Sequence, residues 1–257
     1  MSTHIMNPVR GKRIRITELD ACGHPPTSGG TSIVSDGFIT VNFTSEKEDG
    51  AEIIQKNAWG ALCVNEKAND SFKRLSVEIE FCGVNPNLIA AVTNAKVYKD
   101  GPTGDVIGFT VGEGPIDGNF ALELWLGLSG MACGAGEEGS VYLLLPYVGQ
   151  GVLGDITVDG ENAVTFSLTG AFTKGGNGWD TGPFKVVRNE EGVAAKLPVA
   201  LDSLDHLLLI DTAEAPPAAS SSRFRSRSRT VHDYGVAHLT LNRVGWATHG
   251  FRRRDGV

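Results

Sequence analysis

The sequence predicts a mainly β protein, a sandwich or barrel of many short strands. One short α-helix, a long inter-strand loop and a basic C-terminal extension complete it. Glycine supplies 33 of the 257 residues, about 13% against an average usage of about 7%. Asp-Gly pairs recur at Asp36-Gly37, Asp49-Gly50, Asp100-Gly101, Asp117-Gly118 and Asp159-Gly160, which suits tight turns between short strands. Alternation supplies the third observation. Leu75, Val77, Ile79 and Phe81 fall on one face of an extended segment, and Glu78 and Glu80 on the other.

In chain order, residues 12–19 alternate through Ile14 and Ile16 and form a first strand, and residues 20–30 (DACGHPPTSGG) a turn-rich loop. Ile33-Val34 and residues 37–43 are strands, as are residues 75–81. Between these two clear strand patterns, residues 44–74 belong to neither. A structureless connection beyond roughly 12–15 residues is uncommon within a compact domain and usually has a job. This one carries both charge signs together with Ile53, Ile54, Trp59, Leu62 and Val64, so it reads as a surface built to meet something. Residues 49–61 fit a short helix with Ile53, Ile54 and Ala58 on one side, and fit a hairpin nearly as well.

Asn85 followed by Pro86 matches an N-cap with proline at the first helical position and places the one helix, of two to three turns, just after it. Residues 95–98, 106–111, 120–128, 140–148, 154–158 and 163–172 then read as strands. In the last, Val164, Phe166 and Leu168 alternate against Thr165, Ser167 and Thr169 to give one buried and one wet face. Residues 184–188 and 206–210 are further strands, with a turn at 201–204. Residues 213–222 have linker composition, so a domain boundary is expected near residue 215. The domain is then 1–215, and 216–257 is a linker and Ser/Arg-rich extension.

The net charge of −7 conceals a split. Residues 218–257 hold eight arginines against two aspartates, +6, leaving 15 basic and 28 acidic residues, −13, for the rest. An acidic body grips nucleic acid poorly, because phosphate attraction dominates that affinity. No apolar run approaches the roughly 18 residues that span a bilayer, and the N-terminus lacks a signal-like apolar stretch. Synthesis in a cytoplasm is expected, with Cys22, Cys63, Cys82 and Cys133 reduced.

No local catalytic grammar is present, and neither cofactor nor metal is expected. Residues 134–139 match G-x-G-x-x-G, but a strand pattern follows where a dinucleotide site needs a helix. Leu128-Ser129-Gly130 lacks the frame of a nucleophile elbow. Cys22 and His24 are the one pair with metal-like spacing, and without a second pair they read as a buried thiol beside a loop histidine. Asp205 and His206, adjacent on a strand, face opposite ways, so His206 reads as an edge or partly buried histidine. Glu137-Glu138, and Asp202 with Asp205, read as solvated turns.

One family fits the order and spacing of several segments. They are Gly37-Phe38-Ile39-Thr40-Val41, Glu48-Asp49-Gly50-Ala51-Glu52-Ile53, Lys56-Asn57-Ala58-Trp59-Gly60 and the run from Val77 through Cys82 to Asn85-Pro86. The Asp20-Ala21-Cys22-Gly23 loop fits too, as does Gly170-Ala171-Phe172-Thr173 leading through Trp179 to Phe184. From about Asn7 to about Ala215 the chain resembles the major tail protein, or tail tube protein, of long-tailed non-contractile bacteriophages of actinobacteria. The resemblance implies a tail-tube-like β fold and no enzymatic activity. It implies hexameric rings stacked into a tube, closed by strands from all subunits, through which DNA passes without specific binding. The expected partners are further copies of the chain and the phage's tape-measure and tail-terminator proteins. The expected place is the virion tail, assembled in the host cytoplasm, with no membrane. Residues 44–74 lie where a loop bridging to the next ring is expected, which makes Glu46, Glu48, Asp49, Ile53, Ile54, Lys56 and Trp59 candidate inter-ring contacts. Arg223, Arg225, Arg227 and Arg229 are candidate contacts of the basic tail. Alternatives are another virion β module (head decoration or tail terminator) or a glycan-binding sandwich; a hydrolase with carboxylates assembled in space ranks third.

Overall fold

A computed structural model describes residues 7–26, 32–83, 85–128, 139–158, 160–161, 163–176 and 178–220. Contacts divide the chain into a unit ending at Ser222 and a second unit, Arg223–Val257. The second unit, with its four candidate arginines, lies outside the described residues, as do the G-x-G-x-x-G segment up to Glu138 and Ser129-Gly130.

The elements run β1 (Pro8–Leu19), β2 (Ser32–Ser35), β3 (Phe38–Glu48), β4 (Glu52–Lys56), β5 (Leu62–Lys67), β6 (Ser71–Phe81) and α1 (Pro86–Val92). Then follow β7 (Lys96–Lys99), β8 (Val106–Thr110), β9 (Asn119–Leu128), β10 (Ser140–Gly149), β11 (Val152–Thr157) and β12 (Thr165–Thr173). The short β13 (Val187–Arg188) and β14 (Ala194–Ala195) precede β15 (Leu208–Thr212). The fold is mainly β with one short helix, as the sequence predicts. Nine strands form one antiparallel sheet in the order β2-β1-β9-β10-β12-β6-β3, with β15 joined to β10 and β11 to β12.

Alternation sorts the side chains onto two faces. Ile14 and Ile16 of β1, the Leu75-Val77-Ile79-Phe81 row of β6, Phe120, Leu122 and Leu124 of β9, and Leu143 and Leu145 of β10 form the main core. Helix α1 closes it with Leu88, Ile89, Ala91 and Val92. Its start is the predicted one: the Asn85 side chain accepts from the Asn87 amide, and Pro86 opens the helix. Its far end is satisfied by Gln150, whose Nε2 donates to the carbonyls of Ala90 and Ala91, and by the Gly151 amide, which donates to Val92.

The opposite face of β9 and β10 is buried as well. Ala121, Trp125, Tyr142 and Leu144 pack there under Trp179, Val186 and Leu197. The covering segment is mostly irregular: of the expected strand at 184–188, only Val187–Arg188 is one. Burial on both faces explains the near-continuous apolar sequences of β9 and β10. Pro146 interrupts the second of these. It has no amide to donate, the β9 register shifts between Leu145 and Val148, and β10 exchanges its other neighbour from β15 to β12.

Two expectations need correction. The facing expected in β12 holds, with Phe166 and Leu168 opposite Phe81 and Ile79 of the core row and Ser167 opposite Glu80, but Val164 precedes the strand and Phe166 is only half-buried. A bulge between Leu168 and Ala171, with Gly170 at φ +75°, then resets the phase so that Leu168 and Ala171 both face inward. His206 lies before β15 rather than on it.

A charged pair sits in the second core. The Arg15 guanidinium donates twice to the Glu123 carboxylate, and both side chains are buried. The Tyr142 hydroxyl donates to the same carboxylate at 2.6 Å, and Arg15 lies between the rings of Phe184 (3.5 Å) and Trp125 (5.0 Å). Burial, and then the Glu123 charge, push the Tyr142 phenol well above its ordinary value. Removing one partner strands the other charge in the core. Glu123→Gln is therefore expected to destabilise the fold by about 3–5 kcal/mol in chemical denaturation. The double variant Arg15→Met/Glu123→Leu should lose far less.

Candidate functional site: an exposed β-arm

Residues 44–74 are not an insertion between two strands, as the sequence suggests, but the continuation of both. The β3–β6 ladder runs from Phe38↔Phe81 out to Glu48↔Ser71, and β4 and β5 carry the hairpin further. The helix considered for residues 49–61 does not form; the hairpin does. A helix would bury Ile53, Ile54 and Ala58 along one stripe, but there is no body surface beside them to cover it. Every residue of β4 and β5 is exposed. From Glu46 to Trp59, at about 3.3 Å per residue, the arm reaches on the order of 40 Å.

At its root the arm is fastened to the body. Arg74 Nε donates to Glu46 Oε2 at 2.7 Å, and its guanidinium lies 4.5 Å over the Phe172 ring. The Leu75 amide donates to Thr173 Oγ1, which sits 2.6 Å from His206 Nδ1. Phe72 meets the His206 ring edge-on at 5.1 Å between centroids. Partial burial, opposed by the Asp205 charge, lowers the His206 pKa below its ordinary value.

At the elbow, where β3 and β6 hand over to β4 and β5, Asp70 gathers three donors. Lys47 Nζ lies 2.6 Å from its carboxylate, Lys67 Nζ 3.4 Å away, and the Gly50 amide donates at 3.1 Å. These donors, Lys47 first, hold the Asp70 carboxyl below the usual range. A side chain at Gly50 would come within 2.0 Å of the Ala68 carbonyl oxygen, so the crossing admits only glycine.

At the tip, Asn57 Oδ1 accepts from the amides of Trp59 and Ala61, and Gly60 takes φ +79°. The resulting turn presents Trp59 at 91% exposure. The pairing Gln55↔Val64 places Ile53 and Val64 on one face; Lys56↔Leu62 places Ile54 and Leu62 on the other. Both faces of the ribbon thus carry uncovered apolar side chains among charged and polar ones.

The candidate contacts therefore divide. Ile53, Ile54, Trp59, Lys56 and Glu48 project outward, whereas Glu46 is engaged by Arg74, and Asp49 lies 3.5 Å from Lys47. The charges of the root and elbow are paired within the arm, an engagement that sequence spacing does not reveal.

Elsewhere, Asp202 and Asp205 form a hydrogen-bonded turn. Cys22 is exposed, contrary to the buried thiol expected. With Asp20 and His24 it brings ligand atoms within 4.8 Å of one another, beside an open cleft of about 890 Å³ that Asp20, His24 and Asp180 help to line.

No protein-family model matches the chain, and no curated protein does either.

Two outcomes test the root and elbow. Asp70→Ala is expected to speed amide exchange across residues 52–67 while leaving the thermal midpoint of the body unchanged. For His206, a pKa lower folded than unfolded means that the unfolded chain binds the extra proton first. Its contribution to stability is complete above about pH 6.5 and is lost as pH falls toward the folded value. Denaturation profiles should show this acid-side loss, and His206→Gln should flatten it.

Proposed function

We propose that this chain is a structural, self-assembling subunit of a phage tail tube. Its rings stack when the arm of one copy docks on another, and DNA passes through the channel. The observation that carries this reading is the arm itself. An isolated two-stranded ribbon is marginal in water, yet this one is braced at root and elbow and exposes Ile53, Ile54, Trp59, Leu62 and Val64. Each such side chain contributes about 1.5–3 kcal/mol when fully buried. Together they can offset the several kcal/mol that association costs.

Three further features support it. Strand β3 ends the sheet, and an open edge is a liability that ring closure with a neighbouring copy removes. The outer face of β3, β6 and β12 carries Thr40, Asn42, Glu78, Glu80 and Ser167, hydroxyl, amide and acidic groups suited to a channel along which DNA slides without adhering. The resemblance in segment order and spacing points the same way. Among the described residues the glycan-binding alternative loses ground, because Trp125 and Trp179 are buried and Trp59 sits on a slender ribbon.

Purified full-length protein is expected to form rings or tubes visible by electron microscopy. Replacing residues 49–70 by Asn-Gly joins Glu48 to Ser71 through a two-residue turn and should leave a folded subunit that sediments as a monomer. Trp59→Ala should weaken assembly without lowering the thermal midpoint. Assembly by the shortened chain equal to that of the natural one would overturn the reading.

A further inference from the structure

We infer that the loop after β1 is a binding site for a zinc-class divalent cation, ligated by Asp20, Cys22 and His24. The inference does not rest on the assembly reading.

The donors are of mixed chemistry. A thiolate, an imidazole and a carboxylate form a set that suits zinc, not the oxygen-only set of calcium or magnesium. Their ligand atoms all lie within 4.8 Å of one another. The separation of Asp20 Oδ2 from His24 Nδ1 is 3.4 Å. That is long for an N–H···O bond, which prefers about 2.7–3.2 Å. It matches the nitrogen–oxygen edge of a tetrahedron whose metal–ligand bonds are about 2.1 Å, an edge of about 3.4 Å.

The surroundings hold the three side chains in place. Asp20 Oδ1 accepts from the amides of Cys22 and His24, both at 2.8 Å, which leaves Oδ2 directed toward the histidine. The Asp20 amide donates back to the His24 carbonyl, and Tyr147 Oη donates to Ala21 from the sheet. On the other side, Gly178 packs so closely that a side chain there would meet Gly23 and Cys22 backbone atoms at 2.8–3.0 Å. The loop is therefore clamped between the end of the sheet and the segment around Trp179. Yet the three ligand side chains are all exposed, so an ion enters without rearranging the fold.

Asp20 and His24 line an open cleft, from which water can take the fourth position; Asp180 lines the same cleft. Asp180 is, among the described residues, the one non-glycine with positive φ, at 57°. With Cys22 bound as thiolate and Asp20 as carboxylate, a divalent ion leaves the site neutral. Its effect is to tie the end of β1 into a closed loop.

Cobalt(II), added to the reduced full-length chain, reports the site directly. The expected result is one cobalt per chain, with the near-ultraviolet thiolate charge-transfer band and visible bands of a tetrahedral site, both erased by zinc(II). Cys22→Ser should lose the charge-transfer band. His24→Ala, and Asp20→Asn (which keeps the Oδ1 acceptor for the loop amides), should weaken binding at least about tenfold. Cys63→Ser, Cys82→Ser and Cys133→Ser should bind as the natural chain does. Circular dichroism without metal checks that each variant folds, and if Cys22→Ser does not, the His24 and Asp20 variants decide. Absence of the bands at stoichiometric cobalt, or bands that survive His24→Ala and Asp20→Asn unchanged, overturns the site.

Discussion

Burial of β9 and β10 on both faces is the constraint on which the other parts depend. A strand pair enclosed on two sides can take almost no polar residue, and its neighbours must supply two separate cores. Helix α1 and the β6 row serve one face; the segment around Trp179, Val186 and Leu197 serves the other. The charged exception inside this enclosure is Glu123, which is tolerable only because Arg15 arrives on the adjacent strand at the opposing register position and Tyr142 from the strand on the other side. The same pair positions Phe184, stacked on the guanidinium. Through it, the charge on β9 fixes the irregular layer that in turn backs the loop holding Asp20, Cys22 and His24.

The arm is the opposite case. The body hides its strands on two faces, while β4 and β5 hide neither. What holds the arm is local: the salt bridge and ring stack at the root, the Asp70 cluster at the elbow and the Asn57 turn at the tip. These interactions order the backbone before any partner arrives. Less entropy is then lost on docking than a floppy loop of this length would lose. A braced arm that exposes apolar side chains on both faces suits a subunit captured between copies better than a protein that remains alone.

Much of the body was legible in the sequence. The Leu75-Val77-Ile79-Phe81 row and the Asn85-Pro86 helix start follow from period and capping chemistry, which act within a few residues. The arm was legible as something functional and not as a shape. Residues 49–61 satisfy a helical stripe and a hairpin alike, and only the extension of the β3–β6 ladder decides between them. The bulge at Gly170, which resets the inward phase so that Ala171 follows Leu168 into the core, was not legible, because no local pattern marks it. Pairings across long separations were invisible: Arg15 with Glu123, or Thr173 with His206, join residues that no local pattern connects. Glu123 did leave a trace, as the lone charge in NFALELWLGL. The exposure of Cys22 and the nearness of Asp20 were not legible, because spacing alone says nothing of which carboxylate folds back on a Cys-x-His pair.

The central claim is that the arm of one copy is buried by another, and hydrogen exchange measures this most directly. Amides of residues 52–56 and 62–67 should exchange faster than those of β9 and β10 in dilute, unassembled subunit and become strongly protected in assembled particles, while those of β9 and β10 stay protected in both. Arm amides that exchange equally fast in both states, or a chain that stays monomeric at every concentration, would contradict the account.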